Sequence, residues 1–136
     1  MLGSEMDILS CHVEVVPEAD ILRIRGEVDT GTLSSLRDSL QPIIGNGRHV
    51  IVDVSELRYI DGGGLRMLSA AQQRSEARGM QVLVAGPSPF VRRVLQIVSL
   101  DGALPIFGTV AEALEHLRRI AVPAPHSYRD QDGQAS

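Results

Sequence analysis

Residues 50–71 decide the fold of this chain and read VIVDVSELRYIDGGGLRMLSAA. Their first five residues are β-branched apart from Asp53, which is typical of a strand covered on both faces in the middle of a sheet. Leu65, Leu68 and Ala71 then recur at the spacing of one face of a helix. Three glycines stand between the two patterns. The stretch therefore predicts a strand followed by a helix, the unit from which α/β domains are built.

The residues upstream predict a hairpin and a helix. Apolar and polar residues alternate over 11–15 and 22–28, on either side of a turn signal at 17–20. This pattern indicates two antiparallel strands, and the apolar side chains of 11–15 are expected to be buried. Apolar residues over 33–43 follow helical spacing and predict the first helix.

The residues downstream complete the set of elements. Residues 81–85 predict a second buried strand, and Ser88-Pro89 predicts the start of a helix. Residues 104–107 predict a short edge strand because their proline removes a ladder donor, and the capping box of 109–112 opens a last helix. We therefore expect an α/β fold, a mixed sheet of four to five strands with an N-terminal antiparallel hairpin and four helices packed on it.

The length of 136 residues fits one domain. We place this domain at residues 8–120, after a flexible N-terminus at 1–7. Over 121–136 the composition shifts to Pro, Ser, Gln, Asp and Gly, which offers too little apolar surface to offset the entropy of ordering. This segment is predicted to be a disordered tail.

The composition excludes several classes of function. Two Tyr and two Phe provide little for stacking on bases, and the net charge of −4 argues against a nucleic acid partner. The single cysteine, Cys11, excludes an internal disulfide, and no apolar run approaches the roughly 18 residues that cross a bilayer. Because the start also lacks the features of a signal peptide, we expect a cytoplasmic protein without membrane insertion.

No constellation of catalytic residues is found in the sequence. The serine nucleophile elbow and the phosphate-binding P-loop are absent, and the four histidines have no ligand spacing. We therefore expect no enzyme activity, no metal and no cofactor.

Two aspartates and three glycines form the candidate site. Asp29 and Asp61 each follow a predicted strand, so both are expected at one end of the sheet, although each carboxylate has a simpler interpretation as a cap. Gly62, Gly63 and Gly64 cost about 0.5–1 kcal/mol each relative to alanine when held in fixed structure. They predict either a loop of bare amides open to a partner or an anion, or a tight turn that needs positive φ.

The segments IRGEVD at 24–29, VDVS at 52–55 and YID at 59–61, with Gly64-Leu65 opening the second helix, resemble a STAS domain. This is the family of sulfate transporter and bacterial anti-sigma factor antagonist domains, and the resemblance covers about residues 13–117. It implies a mixed four- or five-stranded sheet with packed helices. In the antagonist branch it also implies that the domain binds a protein and does not catalyse a reaction.

The resemblance also implies a regulatory position. In the antagonist branch the loop typically reads Asp-Ser-Ser-Gly or Asp-Ser-Thr-Gly, and the partner anti-sigma factor, a serine kinase, phosphorylates its second hydroxyl residue. Here the aligned position is Gly63, which has no hydroxyl. The resemblance thus implies a divergent antagonist that binds a kinase-like anti-sigma factor without phosphorylation of this loop. Its predicted partner surface comprises Asp29, Thr30, Asp61, Gly62, Gly63, Gly64, Leu65 and Met67.

Two other functions stay open. The chain could be the STAS subunit of a transporter or signalling scaffold, or its glycine loop could bind a small anion or a nucleotide. The sequence also leaves open the oligomeric state, a homodimer included, and whether Ser55 or Ser69 takes a phosphate instead.

Overall fold

The computed structural model of the chain describes residues 8–98 and 104–121. In this part of the chain one sheet has the strand order β1-β2-β3-β4-β5, with β1 antiparallel to β2 and every other pair parallel. Four helices pack on it, which confirms the predicted α/β fold. The elements are β1 Ser10–Val15, β2 Ala19–Val28, α1 Leu33–Ile44, β3 His49–Ile60, α2 Gly62–Glu76, β4 Val82–Ala85, α3 Pro89–Val98, β5 Ile106–Phe107 and α4 Val110–Ala121.

The helices divide unequally over the two faces of the sheet. Helices α1, α2 and α3 bury one face, where the side chains of Leu22 and Val52 belong to the main core. Helix α4 covers the other face and packs Leu117 against Ile51 and Leu83. The strands β3 and β4 are therefore covered on both faces, which explains their nearly continuous apolar sequences.

The first strand is more exposed than its alternation predicts. Val13 and Val15 are 36% and 69% exposed, so the expectation that they are buried is wrong. Only Cys11 of this strand packs against the main core. The reason is that β1 is the edge strand, and α1 covers only its part around Cys11, whose thiol lies near Ser39.

The predicted turn at 17–20 is too long by two residues. Val16 and Ala19 exchange backbone hydrogen bonds of 3.0 and 3.3 Å, so the turn itself is Pro17-Glu18. Asp20 lies in β2, is 2% exposed and forms an ion pair with Arg48 at 3.0 Å. A buried carboxylate is costly unless it is paired, and the arginine that precedes β3 supplies the partner.

The third strand is longer than its apolar run of 50–54 indicates. It continues to Ile60, and both Leu57 and Ile60 are buried in the main core. Two register shifts in the pairing with β2, on either side of Gly26, accompany this extension. As a result β2 and β3 end level with each other, with Val28 paired to Ile60.

The predicted helix starts are confirmed. The Ser88 hydroxyl oxygen accepts a hydrogen bond from the Val91 N–H at 3.1 Å, and the Thr109 hydroxyl oxygen accepts one from the Glu112 N–H at 3.0 Å. Ala121 is the last residue of α4, so the boundary predicted for the tail lies one residue too early. The predictions for 1–7 and 122–136 lie outside the described residues.

A histidine at the start of β3 makes the stability of the fold depend on pH. Nδ1 of His49 accepts a hydrogen bond from the Gln81 N–H at 3.0 Å, which requires an unprotonated Nδ1. Burial lowers the pKa of His49, and the charges of Arg48 and His116 lower it further. The stabilisation is therefore present above the unfolded-state pKa of about 6.5 and is lost as the pH falls through the folded-state pKa.

We expect the free energy of unfolding to fall between about pH 7 and about pH 5, with part of this fall due to His49. Urea denaturation across this range should show a shallower pH dependence for His49→Gln than for the wild type. The matched control is His12→Gln, an exposed position on β1 that should keep the wild-type pH dependence. Equal slopes for His49→Gln and the wild type would contradict this account.

Candidate functional site

The candidate site lies where β2 and β3 end. Because Val28 and Ile60 are paired in register, the residues that follow them, Asp29 and Asp61, come side by side at this edge. The Asp61 N–H donates to the Val28 carbonyl at 3.0 Å and continues the pairing beyond the strands. The prediction that these two aspartates lie at one end of the sheet is confirmed.

Asp29 connects the end of β2 to the start of α1 through hydrogen bonds. Its Oδ1 accepts hydrogen bonds from the backbone N–H groups of Gly31 at 2.9 Å and Thr32 at 3.1 Å. The Thr32 hydroxyl donates to the Glu27 carbonyl at 2.8 Å and accepts from the Asp29 N–H at 3.0 Å. The carboxylate of Asp29 therefore caps a turn, which is the simpler of the two roles predicted for it from the sequence. Thr32 completes this turn.

Asp61 is the N-cap of α2. It has extended backbone, with φ −96° and ψ −178°, and its Oδ1 accepts from the Gly64 N–H at 2.9 Å. Its carbonyl accepts from the Leu65 N–H at 3.0 Å. Its carboxylate also lies at the positive end of the helix dipole, where a negative charge is stabilising.

The glycine run is neither a loop nor a turn with positive φ, so both expectations for its backbone conformation are wrong. The three glycines are the first turn of α2 and not an open loop of bare amides. None of them is among the glycines of the described chain that have positive φ, which are Gly26, Gly47, Gly79 and Gly86. Their backbone is ordinary helix, so a turn conformation does not explain them.

Packing explains one of the three glycines. A Cβ on Gly64 would lie 2.6 Å from Val28 Cγ1 and 2.8 Å from Ile60 Cγ1, closer than real carbon atoms approach. At Gly63 the nearest atoms would be Leu33 Cδ2 at 3.4 Å and Asp61 Oδ1 at 3.5 Å, ordinary van der Waals distances. The helix therefore needs a glycine at Gly64, whereas the space around Gly63 admits a small side chain.

The predicted partner residues divide by exposure. Thr30 and Gly62 are exposed, while Asp29, Asp61, Gly63 and Met67 are half-buried. Gly64 and Leu65 are buried, and Leu65 is only 2% exposed. The side chain of Leu65 therefore supports the surface from the core and is not available to touch a partner.

Two features of this edge were missed by sequence reasoning. Nη1 of Arg66 would be 3.2 Å from a Cβ on Gly62, so the arginine lies over the first turn of α2. Its position four residues after Gly62 is the signal that points to this contact. Tyr59 and Phe90 stack with ring centroids 6.3 Å apart and are 40% and 52% exposed, an aromatic pair at the surface.

The chemistry of this edge is hydrogen bonding and charge. The hydrogen bonds found among the described residues use only Oδ1 of Asp29 and of Asp61, which leaves each Oδ2 available. Over residues 8–98 and 104–121 no three His, Cys, Asp or Glu side chains gather as a metal site. Within the same residues no helix is long and apolar enough to cross a membrane.

The STAS domain family matches this chain over residues 10–113. A STAS-domain containing protein of Pseudomonas aeruginosa is 27% identical over 65% of this chain and 92% of its own length. The anti-sigma-F factor antagonist RsfB of Mycobacterium tuberculosis is 24% identical over 72% of this chain and 80% of its own length.

Solved structures share the fold. An anti-sigma factor antagonist from Mycobacterium paratuberculosis superposes with a TM-score of 0.76 at 22% identity, covering 82% of this chain and 96% of that one. Part of the murine solute carrier 26 member A9 anion transporter superposes with a TM-score of 0.67 at 15% identity, covering 78% of this chain and 18% of that one.

Substitution of two neighbouring glycines by alanine should have opposite effects on stability. Gly63→Ala is expected to raise the free energy of unfolding by about 0.5–1 kcal/mol, because alanine favours the helix and its methyl group has room. Gly64→Ala is expected to lower it by about 1–3 kcal/mol, because the methyl group overlaps Val28 and Ile60.

Urea denaturation of the two variants beside the wild type measures both effects, and each variant is the control for the other. A Gly64→Ala variant as stable as Gly63→Ala would show that α2 does not need its close approach to the sheet.

Proposed function

The chain belongs to the STAS domain family, and we propose that it is a non-catalytic regulatory module that acts as an anti-sigma factor antagonist. Its partner in this proposal is a kinase-like anti-sigma factor. The observation that carries the proposal is the sheet edge at which Asp61 caps α2 beside Asp29. The relatives named as anti-sigma factor antagonists support the class of partner.

The geometry of this edge suits recognition of a protein. Asp29 and Asp61 are held by their backbone hydrogen bonds, so little side-chain entropy is lost when a partner contacts them. Each Oδ2 can accept from a basic group of the partner. Gly62 and Gly63, which lack side chains, let the partner's backbone approach the first turn of α2 closely. Thr30 and Met67 extend the proposed surface on either side.

The same geometry bears on regulation. A phosphate at Gly63 would add about −1.5 to −2 charges beside two carboxylates and so oppose binding of a partner that pairs with them. Gly63 has no hydroxyl, so this position provides no such switch. In this proposal the interaction is constitutive or is controlled by another route.

Fewer observations support the two alternative functions. The shared fold with part of an anion transporter keeps a transporter-associated or scaffold role open, but at 15% identity this likeness concerns the fold alone. A small anion or nucleotide at the start of α2 would meet the Asp61 carboxylate, which already accepts from the Gly64 N–H. Negative charge at this helix end therefore disfavours a second anion.

Removal of one charge at Asp61 should weaken the proposed interaction. Asn is as good an N-cap as Asp, so Asp61→Asn should keep α2 folded while it removes the charge on Oδ2. We expect binding of the cognate anti-sigma factor to weaken about tenfold or more in calorimetry, as for a lost charged contact. Glu115→Gln, on the exposed side of α4, removes the same charge far from the site and should bind like the wild type. Unchanged binding by Asp61→Asn would rule out this role of Asp61.

A hydroxyl introduced at Gly63 should restore the missing acceptor. Gly63→Ser fits the ordinary contact distances at this position. With the cognate kinase and ATP, mass spectrometry should find phosphate on Gly63→Ser and none on this loop in the wild type. Gly62→Ser is the matched control and should stay unmodified. Phosphate on Ser55 or Ser69 of the wild type would show that another residue has taken the regulatory role.

A further inference from the structure

A groove runs between α1 and α2 and starts at the glycine run. Two cavities, of about 250 and 310 Å³, lie next to each other and share Gln41 and Arg74 in their walls; together they are the groove. Its apolar lining comes from both helices and comprises Leu33, Leu40, Ile44, Met67 and Ala70. Gly63 lies at one end, so the groove joins the partner surface proposed above.

The groove is strongly basic although the chain is acidic. Arg37, Arg66, Arg74 and Arg78 line it, and no Asp or Glu does. On α2 and just beyond it, Arg66, Ala70, Arg74 and Arg78 repeat every four residues, which puts them along one stripe. Arg37 and Gln41 on α1 and Gly45 directly after it repeat in the same way. Two stripes that contribute four positive charges therefore face each other.

These four arginines differ from most others in the chain. Six other arginines form ion pairs of 2.5 to 3.8 Å with acidic side chains, namely Arg23, Arg25, Arg48, Arg58, Arg118 and Arg119. Among the described residues no carboxylate lies within 4.0 Å of the four groove arginines, since none of them occurs in an ion pair. Four like charges in one groove, none of them paired with a carboxylate, make its potential positive and repel each other weakly across solvent.

Helix dipoles explain only part of this arrangement. Arg74 lies in the last turn of α2, and Arg78 lies just beyond it, where positive charge is favourable. Arg66, by contrast, lies over the first turn of α2, where a positive charge is unfavourable, and Arg37 is in the middle of α1. Repulsion at these positions is offset if a negatively charged ligand occupies the groove.

We propose that this groove binds an acidic amphipathic helix of the partner protein, an assignment that rests on the proposed function for the identity of that protein. Apolar side chains of such a helix would cover Leu33, Met67 and Ala70, which are accessible, above the buried Leu40, while its carboxylates would pair with the guanidinium groups on the rim. Arg66 and Arg74 are two turns apart, about 12 Å along the axis, so carboxylates at the same spacing match them. The apolar side chains between the arginines favour an amphipathic protein segment over a nucleic acid, whose phosphate backbone offers no apolar face to cover them.

The proposal is tested with a fluorescein-labelled 16-residue peptide that forms an amphipathic helix, with Leu residues on one face and Glu residues two turns apart beside them. A control peptide has Gln in place of each Glu. Both peptides are titrated with the wild-type protein and with two double variants. The groove variant is Arg37→Glu/Arg74→Glu, and the control, the α3 variant, is Arg92→Glu/Arg93→Glu. Both double variants lower the net charge equally, and circular dichroism checks that each is folded.

Fluorescence anisotropy should show saturable binding of the Glu peptide to the wild type and to the α3 variant. The groove variant and the Gln peptide should each bind about tenfold or more weakly, because charged contacts are lost. No binding by the wild type at 1 mM peptide, or equal loss in both double variants, overturns the proposal. Displacement of the peptide by 10 mM inorganic phosphate, by short duplex DNA or by anionic vesicles also overturns it, since the groove would then be a general anion site.

A second arm uses the cognate anti-sigma factor and separates the two proposals. If this factor binds the wild type but binds the groove variant equally well, the proposed function stands and the groove is not its docking site. If it does not bind the wild type at all, the proposed function fails, whereas the peptide titration still decides whether the groove takes an acidic helix.

Discussion

At Gly64 the backbone of α2 rests directly on the side chains of Val28 and Ile60, and the rest of the site depends on this contact. A single Cβ would come within 2.6 Å of Val28 Cγ1. Because the helix starts so close to the sheet, Asp61 can bond the Val28 carbonyl through its N–H and the Gly64 N–H through its carboxylate. The level ends of β2 and β3 then place Asp29 beside it. The proposed recognition surface is thus a consequence of close packing between one helix and two strands.

The sequence was sufficient for the order of elements but not for their extent. Apolar runs and caps predicted the parallel strands and four helices, because buried strands and helix starts have local signatures. The extension of β3 to Ile60 depends on register shifts in β2, which no local pattern reports. The exposure of Val13 and Val15 depends on how far α1 reaches over the edge strand, a tertiary fact. Asp20 was assigned to a turn because Arg48, the arginine that pairs with its buried carboxylate, is 28 residues away.

The candidate site was also predictable from the sequence only in part. The aspartates could be placed from the ends of two strands, the glycine run stood out in the sequence, and the resemblance to STAS domains identified Gly63 as the position of the missing hydroxyl. Sequence alone could not separate Gly64, which packing requires, from Gly63, which packing does not, because the difference lies in atoms of Val28 and Ile60. The sequence could not show that Leu65 is buried or that Arg37 lies near Arg74. The four-residue spacing of the arginines along α2 can be read from the sequence. That they line a groove depends on the packing of α1 beside α2, which the sequence does not show.

The edge at Asp29 and Asp61 lies beside the α1–α2 groove, and we propose that the two form one partner surface. Hydrogen–deuterium exchange of this chain with and without its cognate anti-sigma factor tests it most directly. We expect slower exchange of backbone amides throughout α1 and α2, with α4 and β1 unchanged. Protection confined to α4 or to β1, with α1 and α2 exchanging as in the free protein, would contradict it.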